Sequence, residues 1–238
     1  MAAAVKAFFR PKVSTKWAVA GLDFQVAAGQ VVGLVGANGA GKTTFLKMAA
    51  GLLHPTEGEI RVLGHVPHER DPNFLRSIGM VMGQKSQLWI DIPASETLEL
   101  LAAVYDIPSE VYRKRLDDLA RLFDVKEHLG VQVRRLSLGE RMKLEIVAAV
   151  LHEPRLLLLD EPTIGLDVVA KDRIRGLVRD YNVEKGTTIV LSSHDMDDIA
   201  EVCHRLLIIH HGALRFDGSV SEVASLKSLV LETLSSPA

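Results

Sequence analysis

Nine residues, GANGAGKTT from Gly36 to Thr44, constrain this chain more than any others. They follow a short apolar run, Val31 to Val35, with the composition of a strand buried on both faces. They open a helical stretch from about Lys42 to Ala50. Strand, glycine loop and helix in that order begin a parallel α/β sheet. Within the loop, Gly36, Gly41, Lys42 and Thr43 stand at the G-x-x-x-x-G-K-[ST] spacing. A triphosphate crowds negative charge, and glycines let the backbone wrap it so that successive N–H groups and a helix N-terminus face its oxygens. The expected nucleotide contacts are Gly36, Ala37, Asn38, Gly39, Ala40, Gly41, Lys42, Thr43 and Thr44. Lys42 supplies a point charge to the β and γ oxygens, and the Thr43 hydroxyl is placed for Mg²⁺.

A second chemical signal is the pair Asp160 and Glu161 at the end of the run LLLL. Side chains alternate along a strand, so the two carboxylates need not share a task. Ligands bind at the carboxyl ends of parallel strands. Asp160 is assigned to the Mg²⁺ shell, and Glu161 to polarising the water that attacks the γ-phosphate.

Around these motifs the chain reads as α/β. Short strands are expected at Ile60–Leu63, Ile78–Met82, Leu156–Leu159, Thr188–Ser192 and Leu206–His210. Between them, roughly 84–150 lacks strand signals and carries helical spacing in SETLELLAAVY and EVYRKRLDDLARLF, punctuated by Pro93 and Pro108. It reads as a helical subdomain inserted into the sheet. The N-terminal 16 residues are basic, yet their patterning suits an ordinary first strand better than a transit peptide. No apolar stretch approaches the roughly 20 residues of a membrane helix. Lysine and arginine number 28 against 30 acidic residues, without the basic surplus of a nucleic-acid binder. Cys203 is expected as a small buried residue. His54, His65, His68, His128, His152, His204, His210 and His211 lack metal-ligand spacing and read as surface or turn residues.

The run RLSLGERMKLEIVAAVLHEPRLLLLDEPTIGLD resembles the signature helix, following strand and D-loop of ABC transporter ATPase subunits. Gln84 after a strand and His194 in LSSHD complete the family's ordered set of motifs. The resemblance spans nearly the whole chain. It implies a P-loop NTPase fold over 1–238 as a single ABC ATPase domain, with a mostly parallel sheet core, an antiparallel β part and an inserted α-helical subdomain. Residues 1–83 and 151–238 would form a RecA-like core with an N-terminal β part. Residues 84–150 would form the subdomain ending in the signature helix. It further implies a two-subunit sandwich, expected as a homodimer, with each ATP between the phosphate loop of one copy and Ser137 and Gly139 of the other. Asp167 would act across that interface, His194 would reach the γ-phosphate and the water, and Gln84 would sense Mg²⁺.

Two departures from the family stand out. Its LSGGQ is LSLGE here, with Leu138 and Glu140. A carboxylate beside a triphosphate costs affinity unless turned away, and Ser137 with Glu140 makes a capping box that would turn it. Upstream, the usual adenine-stacking aromatic is not obvious. Trp17 is a platform or a packing residue, with Phe8, Phe9 and Val13 nearby. The segment Gln84–Pro93 holds Leu88, Trp89, Ile90 and Ile92. It either packs beneath the helical subdomain or grips a cytoplasmic helix of a transmembrane permease. It resembles a bacterial subgroup with ABC-2-type permeases, largely associated with export. That resemblance implies a peripheral protein on the cytoplasmic face of the membrane, without a nucleic-acid partner. A soluble ABC ATPase of DNA repair would carry a coiled-coil insertion or fused units, and a non-enzymatic regulator would have lost Glu161 or His194.

Overall fold

The computed structural model describes residues 17–83, 85–223 and 225–235. Among the described residues six strands form one sheet: β1 Val31–Val35, β2 Ile78–Met82, β3 Leu156–Asp160, β4 Thr188–Ser192, β5 Arg205–His210 and β6 Ala213–Ser219, in the order β2-β3-β4-β1-β5-β6. The first five are mutually parallel, and β6 returns antiparallel along β5. Apolar residues on both faces explain why the inner strands run as uninterrupted Val, Leu and Ile. Val31, Val35, Leu157, Leu159, Ile189, Leu191 and Ile208 enter one core; Val32, Leu34, Leu156, Leu158, Val190, Leu207 and Ile209 enter the other. Gly33 faces the Met196–Val202 helix, where a Cβ would lie 2.8 Å from Ile199 Cδ1 and 3.0 Å from Cys203 Sγ. Cys203 is buried and unpaired, and burial pushes its thiol well above the usual range.

The expected strands at 31–35, 78–82, 156–159, 188–192 and 206–210 are all present, two of them extended by one residue. The one expected at Ile60–Leu63 is not. Leu63 and Gly64 both adopt left-handed backbone, φ 53° and 86°, so the chain reverses at once and leaves only the bridge Val62–His65. Among the described residues, 17–28 join no ladder; Leu22, Phe24 and Val26 instead alternate toward the second core. The expected first strand before Trp17 lies outside the described residues. His210 departs from the surface reading. It ends β5 with its side chain buried, while His211 turns outward in the tight hairpin His211–Gly212, where both φ values are positive.

Between β2 and β3 the described residues form three α-helices, Ala94–Val104, Ser109–Leu122 and Leu138–Val150, the first two preceded by Pro93 and Pro108. Leu98, Phe123, Leu144 and Val147 join them to the first core. The Leu226–Ser235 helix, which no strong sequence signal marks, buries Val230 against the same core.

Candidate functional site

Because β3, β4 and β1 are adjacent and parallel, their carboxyl ends gather three loops at one edge of the sheet. The loop after β1 carries Gly36–Thr44, the end of β3 carries Asp160 and Glu161, and the end of β4 leads to His194. Gly36–Thr44, Glu161 and His194 line one cavity of about 870 Å³, together with Ala18, Ile164, Met196 and Val230.

The cradle's shape depends on its glycines. A Cβ on Gly36 would lie 2.2 Å from the Ile209 carbonyl oxygen. Gly41 has φ 110°, and a Cβ there would lie 2.3 Å from the Ala18 carbonyl oxygen. The Gly212 N–H donates to the Ala40 carbonyl at 3.0 Å, and the Ala20 N–H donates to the Gly212 carbonyl at 2.7 Å. The tip of the β5–β6 hairpin therefore braces the loop from behind. Lys42 begins the Lys42–Ala49 helix and is only 7% exposed, with Nζ donating to the Gly36 carbonyl at 2.6 Å. Its ammonium lies 3.9 Å from Glu161 Oε1.

Asp160 is held by hydroxyls on both sides. Thr43 Oγ1 donates to Oδ2 at 2.8 Å, and Ser192 Oγ donates to Oδ1 at 2.7 Å. These hard oxygens fit a small divalent cation that takes its other ligands from water and phosphate. Among the described residues no group of three or more His, Cys, Asp or Glu makes a self-contained metal cage, so the phosphates would have to complete the shell. Glu161 sits in left-handed backbone, φ 53°, with its N–H donating to both the Ser192 carbonyl and Oγ. That conformation is costly for a side-chain-bearing residue and persists where surrounding contacts enforce it. Gly83 is one such contact: a Cβ there would lie 2.3 Å from the Glu161 carbonyl oxygen. The Glu161 carboxylate points to His194, with Oε2 2.6 Å from Nδ1.

Other sequence-read residues stand apart from this cavity. Ser137 caps the Leu138–Val150 helix in a complete capping box: Glu140 N–H donates to Ser137 Oγ at 3.3 Å, and Ser137 N–H donates to Glu140 Oε2 at 2.8 Å. The Ser137 backbone bond holds the Glu140 carboxyl below its usual range. Gly139 packs beside Ala170 on the Val168–Lys185 helix, which Asp167 caps by accepting the Ala170 N–H at 2.8 Å. Ser137, Gly139 and Asp167 do not line the cavity, and neither does Trp17, which is 51% exposed. Gln84 lies outside the described residues. The segment after it divides: Leu88 is buried in the first core, whereas Trp89 and Ile90 are exposed.

Sequence reading missed several supporting groups. Ser192 is one, hidden as an ordinary strand end. Glu145 is another. It is 3% exposed on the Leu138–Val150 helix and accepts hydrogen bonds from Ser86 Oγ and the Gln87 N–H. A carboxylate inside an apolar helical stretch was the available signal, since such a group needs buried partners.

Comparison with known proteins gives the family. The family model described as "ABC transporter" matches residues 19–164. ABC transporter ATP-binding protein NatA of Bacillus subtilis is 32% identical over 215 residues, covering 90% of this chain and 87% of that protein. Daunorubicin resistance ATP-binding protein DrrA3 of Streptomyces coeruleorubidus is 35% identical over 209 residues, covering 87% of this chain but 65% of that protein. A solved dimeric structure of the ATP-binding cassette MJ0796, in a post-hydrolysis state bound to ADP and Pi, superposes with a TM-score of 0.76 at 26% identity, covering 86% of this chain and 91% of that one. The chain belongs to the ABC transporter family, as one of its ATP-hydrolysing domains.

Proposed function

We propose that two copies of this chain close on two Mg·ATP and use their hydrolysis to drive export through a separate ABC-2-type permease. The observation that carries this reading is the convergence of Lys42, Thr43, Glu161 and His194 on one cavity, with Asp160 bonded to Thr43 behind its lining, while Ser137 and Gly139 do not line it. Half of a phosphate clamp is assembled, and a second copy would supply the rest.

Each residue has a task in this reading. The amides of Gly36 to Thr44 and the Lys42 ammonium hold the phosphates. Thr43 and Asp160 would hold Mg²⁺, Gln84 would sense it, and the ion would offset charge on the phosphate oxygens. Glu161 takes a proton from water as its oxygen bonds to the γ-phosphorus and the bond to the β–γ bridging oxygen breaks, yielding ADP and phosphate. His194 orients Glu161 and the water. Ser137 and Gly139 of the partner copy cap the γ-phosphate from a helix N-terminus, with Glu140 turned into its capping box. Asp167 acts across the interface, and Trp17, one residue before the cavity-lining Ala18, flanks the adenine.

Residues 84–150 act as the helical subdomain, and exposed Trp89 and Ile90 receive the permease helix. Among the described residues no helix is long and apolar enough to cross a membrane, which suits a peripheral subunit on the cytoplasmic face. The kinship to a daunorubicin resistance protein supports export. The test is Glu161→Gln: with Mg·ATP it is expected to bind nucleotide, stop turning over and elute as a dimer. A monomer at saturating ATP would refute the shared clamp.

A further inference from the structure

Asp198, fully buried in the Met196–Val202 helix, joins three elements through one carboxylate. Its Oδ2 accepts hydrogen bonds from Thr163 Oγ1 at 2.5 Å and Ser193 Oγ at 2.6 Å. Its Oδ1 accepts the Arg175 Nε–H at 2.7 Å. Three donors, one of them cationic, satisfy a carboxyl group that is costly to bury without partners.

A buried ion pair alone says little about stability. The connections of this one are what matter. Thr163 lies two residues after Glu161, Ser193 immediately precedes His194, and Arg175 lies on the helix that Asp167 caps. Thr163, Ser193 and Asp198 do not line the nucleotide cavity, so none is placed to touch substrate. Thr163 and Ser193 instead stand next in sequence to residues that do, Ile164 and His194. Arg175 and Lys171 extend the network to Asp195, the residue after His194, at 3.4 and 2.6 Å.

We infer that Asp198 is a positioning residue for hydrolysis: through Thr163 and Ser193 it fixes the Glu161 and His194 backbones relative to each other, and through Arg175 it ties that pair to the helix bearing Asp167. The inference rests on the reading of Glu161 and His194 given above. The β3–β4 pairing and the Glu161 N–H on Ser192 hold the two strand ends together; beyond them the Glu161–His194 contact of 2.6 Å and the two hydroxyls on Asp198 join the loops that follow. Displacements of about 1 Å at a catalytic centre cost on the order of 100-fold in rate.

The test uses the full-length chain in steady-state Mg·ATP hydrolysis, with kcat counted per nucleotide-binding site by titration with a fluorescent ATP analogue. Thr163→Val removes the hydroxyl at constant shape, and Thr163→Ser restores it. Thr163→Val is expected to lower kcat about tenfold with KM and analogue affinity within about twofold, and Thr163→Ser to recover most of the loss. Ser193→Ala should lower kcat in the same way, which keeps the test decisive should Asp198→Asn fail to fold. A role in stability alone would lower the melting temperature without touching kcat per site. If Thr163→Val and Ser193→Ala both keep wild-type kcat while Glu161→Gln abolishes turnover, the positioning role is wrong. If Glu161→Gln itself turns over normally, the reading of Glu161 fails first and takes this inference with it.

Discussion

The buried Glu145 carboxylate accepts the Gln87 N–H at 3.0 Å, and the Gln87 side chain returns a 2.8 Å hydrogen bond to the Glu145 carbonyl. The segment that presents Trp89 and Ile90 is thereby tied to the middle of the helix that Ser137 caps. Movement of one carries the other.

Glu145→Ala is expected to destabilise the chain by about 1–3 kcal/mol, because the Ser86 hydroxyl and Gln87 amide lose a charged acceptor in a largely buried place. Urea denaturation reads this directly. An unchanged midpoint would mean that water replaces the carboxylate at no cost.

Lys42→Ala should weaken ATP binding by at least about tenfold, the loss expected for one charge-assisted contact to a phosphate. Isothermal titration with Mg·ATP measures it. Wild-type affinity would remove Lys42 from the phosphate site.

Gly41→Ala sets a Cβ against the Ala18 carbonyl at 2.3 Å, in backbone of φ 110° that side chains rarely adopt. Relief requires moving the loop. The expected result is loss of nucleotide binding in a chain whose circular dichroism keeps its helical content, since the strain is confined to one turn. A variant that binds ATP normally would show the cradle to be more plastic than its contacts imply.

The Ser137–Glu140 box gives a pH-dependent contribution. The folded Glu140 carboxyl is held below its usual range, chiefly by the Ser137 N–H, so its contribution is present above the ordinary glutamate range and is lost as pH falls through the folded value. Ser137→Ala should cost about 0.5–2 kcal/mol at neutral pH. The stability gap between wild type and Glu140→Gln should narrow from pH 7 to pH 3 in denaturant titrations. A gap that stayed constant would show that the carboxylate charge does not matter there.

Much of this was legible in the sequence because the strongest signals are local. The run VVGLV, the glycine spacing and the acidic pair after four leucines each report their own neighbourhood, and the structure places them accordingly. The strand expected at Ile60–Leu63 failed because apolar composition does not reveal that Leu63 and Gly64 turn left-handed. His210 was misread because β5, buried on both faces, runs through it and the turn begins only at His211. Asp198, Arg175 and Glu145 stayed hidden for a different reason. Apart from Ser193 for Asp198 and Arg141 for Glu145, their partners are 20 to 59 residues away in sequence, and nothing local marks a buried charge as satisfied.

The brace formed by Gly212 also alters how the hairpin at His211–Gly212 should be regarded. Such tips usually tolerate extra residues, being remote from anything that matters. Here the tip is a keystone behind the glycine loop, so lengthening it by a residue or two would be felt where ATP docks. The same brace means that the amides stand ready before nucleotide arrives, and little ordering entropy is left to be lost on binding.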